Sequence, residues 1–279
     1  MALPHYAGPA HRFSYNTFRT FCVIVYLFLV MPLVVMIPLS FNAEPYFTFT
    51  EEMLRLDPAG YSLRWYEQVL HSDRWRLAIM NSIVIALGAS AIATTLGTLA
   101  ALGLSQPRMP FRTLIMGLLM SPLIVPLIVT GVGAFFFYAR LDLAQTRLGI
   151  VLIHAAVGIP FVVTTVTATL SRLDRTILRA SESLGAGPVR TFFDVTLPII
   201  LPGVVAGALF AFVISFDEPV IVLFLAGPQE RTIPVQMWSG VREQISPDIL
   251  AAASMLIALA VTLLLTVELL RRRTERIRG

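Results

Sequence analysis

Asp217 and Glu218 are the residues whose chemistry most needs explaining. They stand side by side in Ser215-Phe216-Asp217-Glu218-Pro219, about two thirds of the way along an apolar run, Ile199–Ala226. A carboxylate at membrane depth costs on the order of 3 kcal/mol on insertion scales, so it faces a cavity, a water path or a partner. No Arg lies inside any apolar run to neutralise the pair from within the chain. Two roles fit. Asp217, with Ser215 and Glu218 beside it, lines a path for cationic solutes, or the pair meets a partner subunit across an interface.

What is missing narrows the chemistry further. All 21 basic residues are Arg. A P-loop needs a Lys to reach the phosphates, so any ATP hydrolysis belongs to another polypeptide. The four His, at 5, 11, 71 and 154, and the single Cys22 have no metal-ligand spacing. No nucleophile and base stand in a recognisable arrangement. The chain is therefore read as a non-enzyme, with no catalytic residue, no metal site and no cofactor of its own.

The elements that must position these groups are membrane helices. Hydrophobic residues make up 56% of the 279 residues and charged ones 14%, with a mean hydropathy of +0.77. Only a bilayer can act as solvent for such a composition. Six apolar runs each reach the roughly 20 residues that cross a bilayer: Phe21–Phe41, Ile79–Leu104, Leu114–Tyr138, Gly149–Leu170, Ile199–Ala226 and Ile249–Leu270. No strand-like alternation competes, so the expectation is an all-α integral membrane protein with six transmembrane helices. Residues 1–20 and 271–279 are tails around the 21–270 membrane domain. The first run is too long for a signal-peptide core and reads as an uncleaved anchor.

Topology also accounts for the net charge of +4, with no need for nucleic acid. With the N-terminus inside, the inner side holds Arg12, Arg19, Arg108, Arg112, Arg172, Arg175, Arg179, Arg190, Arg271, Arg272, Arg273, Arg276 and Arg278. The outer side holds Arg55, Arg64, Arg74, Arg76, Arg140, Arg147, Arg231 and Arg242. The inner excess favours both termini in the cytoplasm. In the long outer loop, Leu63, Tyr66 and Leu70 share a helical face after Ser62, a plausible cap, which reads as a short interfacial helix.

The sizeable inner loop, residues 171–198, is the second feature that could do work. Ile177, Ala180, Ser181 and Leu184 recur at helical spacing. Gly185 and Gly187 allow a turn, and Pro188 can open a second helix. That helix carries Val189, Phe192 and Phe193, pairs Arg190 with Asp194, and is expected to end at Leu197-Pro198. Apolar faces outside the bilayer need a partner surface. The surface is either another subunit or the inner ends of this chain's own helices.

The loop resembles the cytoplasmic "EAA" loop of permease subunits of binding-protein-dependent ABC importers. Arg179-Ala180-Ser181 stands where that family has Glu-Ala-Ala; Gly185, Val195 and Leu197-Pro198 fall at its glycine, aliphatic and Leu-Pro positions. Arg179 and Ser181 depart from the pattern. His154-Ala155-Ala156-Val157-Gly158-Ile159-Pro160-Phe161, Ser215–Pro219, Phe224–Pro228, Arg231–Trp238, Ser62–Tyr66 and Asn81-Ser82 resemble segments of the spermidine/putrescine-type subfamily. The resemblance implies a type I ABC importer permease fold with a cytoplasmic coupling helix, in a bacterial inner membrane. It implies Arg179, Ala180, Ser181, Leu184, Gly185, Val195, Leu197 and Pro198 as the coupling surface. The implied partners are an ATPase dimer that binds ATP and Mg, a second permease subunit and an extracytoplasmic solute-binding protein. The solute is expected to be small and amine-bearing. The competing class is an ion-coupled secondary transporter using Asp217 or Glu218, which six helices without an inverted repeat do not favour.

Overall fold

The computed structural model describes residues 9–106, 108–243 and 246–278. In chain order the helices are α1 (Pro9–Leu39), α2 (Glu51–Leu54), α3 (Arg64–His71), α4 (Asp73–Leu104), α5 (Arg112–Ile124), α6 (Leu127–Ala139) and α7 (Arg147–Leu170). They continue with α8 (Arg175–Ser183), α9 (Pro188–Thr191), α10 (Leu197–Phe216), α11 (Val220–Leu225), α12 (Ile233–Glu243) and α13 (Asp248–Arg278). Among the described residues the only extended pairing is an isolated bridge between Asn42 and Tyr61. Helices satisfy their own backbone groups, which lipid cannot do.

The chain divides into two compact units, residues 73–239 and residues 1–72 with 240–279. In the second of these, Asn42 organises the loop after α1. Its Nδ2 donates to the carbonyls of Tyr46 and Thr48, both at 2.9 Å, and its own carbonyl accepts from Trp65 Nε1 at 2.7 Å. Trp65 and Val69 anchor α3, leaving Leu63 and Leu70 exposed. Ser62 is not the cap expected of it: Leu63 holds the N-cap position with no side-chain cap bond, and the Ser62 hydroxyl, one residue earlier, accepts from the Arg64 amide at 3.2 Å.

Unit 73–239 is a bundle around α7, the most enclosed of the spanning helices, with 61% of its apolar window buried. Helices α4, α7 and α10 meet at Ala93, Gly158 and Ala211; a Cβ on Gly158 would lie 3.1 Å from that of Ala211 and 3.2 Å from that of Ala93. Hydrophobicity cannot hold helices together in lipid, so close packing of small residues must do it.

Two expected spans are interrupted. The run Leu114–Tyr138 is a pair, α5 and α6, bent by 103°. Pro126 lacks the amide that would bond Pro122, and its ring forces Val125 into extended backbone (φ −73°, ψ 128°). The run Ile199–Ala226 is likewise not one helix. α10 stops at Phe216, because Pro219 cannot bond the Ser215 carbonyl, and α11 restarts at Val220. Among the described residues, four single helices are long and apolar enough to cross a membrane, and the bent pair makes a fifth. The sixth expected run lies in α13, where Asp248–Thr262 is a shorter apolar stretch among the described residues.

Candidate functional site

At one end of α10 lies the elbow, residues 171–198. Asp174 caps α8 by accepting from the Thr176 amide at 2.8 Å, and this bond holds its carboxyl below the usual carboxylate range. α8 ends in a pair of reversed bonds: Gly185 N–H to Glu182 O at 2.9 Å and Ala186 N–H to Ser181 O at 3.1 Å. This closure puts Gly185 at φ +83°, the left-handed region that glycine enters without cost. Pro188 then opens α9 at its first turn, as expected. Arg190 and Asp194 pair at 3.1 Å on an exposed face.

Leu197-Pro198 does not end the helix, contrary to the expectation. Residues Phe192–Thr196 form a single π-helical turn in which the Leu197 amide bonds the Phe192 carbonyl, five residues back. The wider turn makes room for the Pro198 ring, and the helix runs on without a break from Pro188 to Phe216, 29 residues. At 1.5 Å per residue that is a rod of about 43 Å.

The coupling residues assigned from the sequence gather on this elbow. Arg179, Ala180, Leu184, Gly185 and Pro198 are exposed; Ser181, Val195 and Leu197 are half-buried. Leu184 is 89% exposed, and Val189, Phe193 and Ile177 are further exposed apolar side chains of the elbow. Among the described residues no side chain lies within 4 Å of the place a Cβ on Gly185 would occupy.

At the other end of the rod is the Asp217–Glu218 break. The two carboxylates face opposite ways. Asp217 is exposed, whereas Glu218 and Ser215 are buried. Glu218 replaces the backbone bonds that Pro219 interrupts: its Oε1 accepts from the Val220 amide and its Oε2 from the Ile221 amide, each at 2.8 Å. Ser215 lies against His154 of α7, with 2.8 Å between its hydroxyl and Nδ1. The sequence brings these residues near one another, but nothing in it distinguishes the inward from the outward carboxylate.

Two contributions go beyond the sequence reading. His154 reads from the sequence as a packed, hydrogen-bonded helix residue, and the structure supplies its neighbours, Ser215 and Glu218. Asn81 and Ser82 of α4 hold the chain after α11: Asn81 Nδ2 donates to the carbonyls of Gln229 (2.7 Å) and Arg231 (3.0 Å), and Ser82 Oγ accepts from the Ile233 amide at 2.8 Å. Polar residues at the start of a spanning helix were the available signal. Among the described residues no group of His, Cys, Asp and Glu could hold a metal ion.

Residues 93–276 match the family model described as the binding-protein-dependent transport system inner membrane component. Among curated proteins, the spermidine/putrescine transport system permease protein PotC of Haemophilus influenzae is 29% identical over 92% of this chain and 97% of its own length. The putrescine transport system permease protein PotI of Escherichia coli is 32% identical over 83% of this chain and 82% of its own. Among solved structures, a chain of a bacterial ABC transporter that imports the acidic polysaccharide alginate superposes with a TM-score of 0.69 at 14% identity, covering 96% of this chain and 99% of that one. The same likeness, at a TM-score of 0.66, extends to an alginate transporter in complex with a pentasaccharide-bound periplasmic protein. At such identity the likeness concerns the fold alone.

Proposed function

Because this chain belongs to the family of binding-protein-dependent transport system inner membrane components, we propose that it carries a small polyamine-like cation along a path lined by Asp217. The chain is a transmembrane permease subunit of an ABC importer. The observation that carries the solute reading is the exposed Asp217 carboxylate at a proline-made break in a spanning helix. An anionic group at such depth favours cations and disfavours acidic solutes. Relatives named for putrescine and spermidine support the same class. In this reading Ser215 and Glu218 act from behind the path, by shaping the break.

The remaining roles follow from the rod. The elbow lies on the cytoplasmic side, with both termini, and docks a separate ATPase dimer that holds ATP and Mg. A second permease subunit completes the path, and an extracytoplasmic binding protein delivers the solute. Closing of the ATPase dimer moves Ala180, Ser181, Leu184 and Gly185, and the continuous helix from Pro188 to Phe216 carries that movement to the break. Alternating access then arises from rigid displacement between two packed states.

Asp217→Asn tests the assignment with little change of shape. The assembled importer should keep its ATP hydrolysis while uptake of labelled putrescine falls about tenfold, the loss of roughly 1.4 kcal/mol of favourable interaction. Full-rate uptake by that variant ends the pathway reading.

A further inference from the structure

His154 is buried, as are the two residues it meets, and none of the steps above uses it. Its ring sits between the two helices that Pro219 separates. Nδ1 lies 2.8 Å from Ser215 Oγ, in the last turn of α10. Nε2 lies 3.6 Å from Glu218 Oε2 and has no hydrogen-bond partner of its own. Glu218 in turn holds the first turn of α11 through the amides of Val220 and Ile221. One side chain of α7 therefore spans both sides of the break.

Asp217 lies between these two fixed points, two residues after Ser215 and next to Glu218. Its amide still closes the last α10 bond, to Val213 O at 3.0 Å. Among the described residues no hydrogen bond or ion pair holds its carboxylate. The imidazole meets the residues on both sides of it, by a hydrogen bond to Ser215 and by packing 3.6 Å from the Glu218 carboxylate.

We infer that His154 is a positioning residue for transport: by hydrogen-bonding Ser215 and packing against Glu218 it fixes the α10–α11 break against α7, so that Asp217 faces the solute path. This rests on the reading of Asp217 as a path residue, and the two can fail separately.

The test uses the complete importer in proteoliposomes and needs no knowledge of the solute. In a Cys22→Ala background, Asp217→Cys is labelled with a membrane-impermeant cationic methanethiosulfonate, and the rate is compared with and without His154→Ala. The thermal-unfolding midpoint of the assembled importer reports in parallel whether the fold persists. We expect labelling at 217 to slow by about tenfold in the His154 variant, the scale of coupling within one packed network, with the midpoint unchanged. His154→Gln, which keeps a polar group able to bond Ser215, should restore most of the rate. Should His154→Ala fail to assemble, Ser215→Ala severs the hydrogen bond and should slow labelling at 217 severalfold. A Cys at 217 that never reacts while His154 is intact sinks the path reading. One that reacts at the same rate in every His154 and Ser215 variant sinks the positioning role and leaves the path reading standing.

Discussion

The hydroxyls of Ser181 and Thr191 lie 3.0 Å apart, joining the two arms of the elbow across its turn. Thr191 is buried and Ser181 half-buried, so the bond is partly shielded from water. Ser181 stands where the related permease loops have Ala, and the structure gives the extra oxygen a partner within the chain. Ser181→Ala should therefore loosen the elbow without collapsing it, at a cost of about 1 kcal/mol. Uptake per ATP hydrolysed should drop severalfold while the amount of assembled complex stays the same.

Gly185 combines two constraints that substitution can separate. Its left-handed backbone penalises any residue with a Cβ, by about 1 kcal/mol, but Asn least. Among the described residues nothing occupies the space around it. Gly185→Asn should thus cost the isolated subunit only a small part of its thermostability and still impair uptake, because the side chain would obstruct the proposed ATPase contact. Normal uptake by Gly185→Asn would show that no partner packs there.

Gly207 is a packing position of a different kind. A Cβ there would lie 2.9 Å from Val162 Cα, which is backbone and cannot swing aside. Gly207→Val should separate α10 from α7 and lower stability by about 1–3 kcal/mol, the usual penalty of overpacking. Gly133→Ala is the control, since a Cβ at Gly133 meets nothing within 4 Å. Thermal unfolding of the purified subunit should show a lower midpoint for the first and no loss for the second.

Asp174 gives the elbow a defined pH response. Its carboxyl is depressed in the folded state, chiefly by the Thr176 amide bond. The stabilisation is present above the unfolded-state value and is lost as pH falls through the folded one. The cap should hold throughout the neutral range and fail only in acid. Asp174→Asn, which keeps an acceptor, should abolish that acid sensitivity, and Asp174→Leu should show the weakened state at every pH. A carboxyl-resolved NMR titration would check the direction of the shift.

The sequence makes much of this molecule legible, because lipid leaves the backbone few choices. Apolar runs of sufficient length had to become helices, and the pattern from Ile177 to Gly185 had to become a helix closed by a glycine. Proline effects were harder to read, because the same ring has three outcomes here. Pro126 bends a span sharply, Pro219 divides one, and Pro198 is absorbed by a π turn. Which outcome prevails depends on whether nearby groups take over the lost backbone bonds, and only the fold decides that. The same limit hid His154: a lone imidazole in an apolar helix carries no mark of what stands opposite it. Glu218 and Asp217 look equivalent in the chain, and only the fold leaves one exposed and the other buried.

The reversal at Gly185 is closed by main-chain bonds that belong wholly to this polypeptide. If the elbow docks a motor subunit as proposed, that subunit meets a finished handle rather than a strand it must first shape. No ordering entropy is charged against the encounter, so modest contacts suffice for a selective grip, and letting go can be equally quick. A cycle that must engage and release at every turnover gains more from such a ready-made grip than from a tight one.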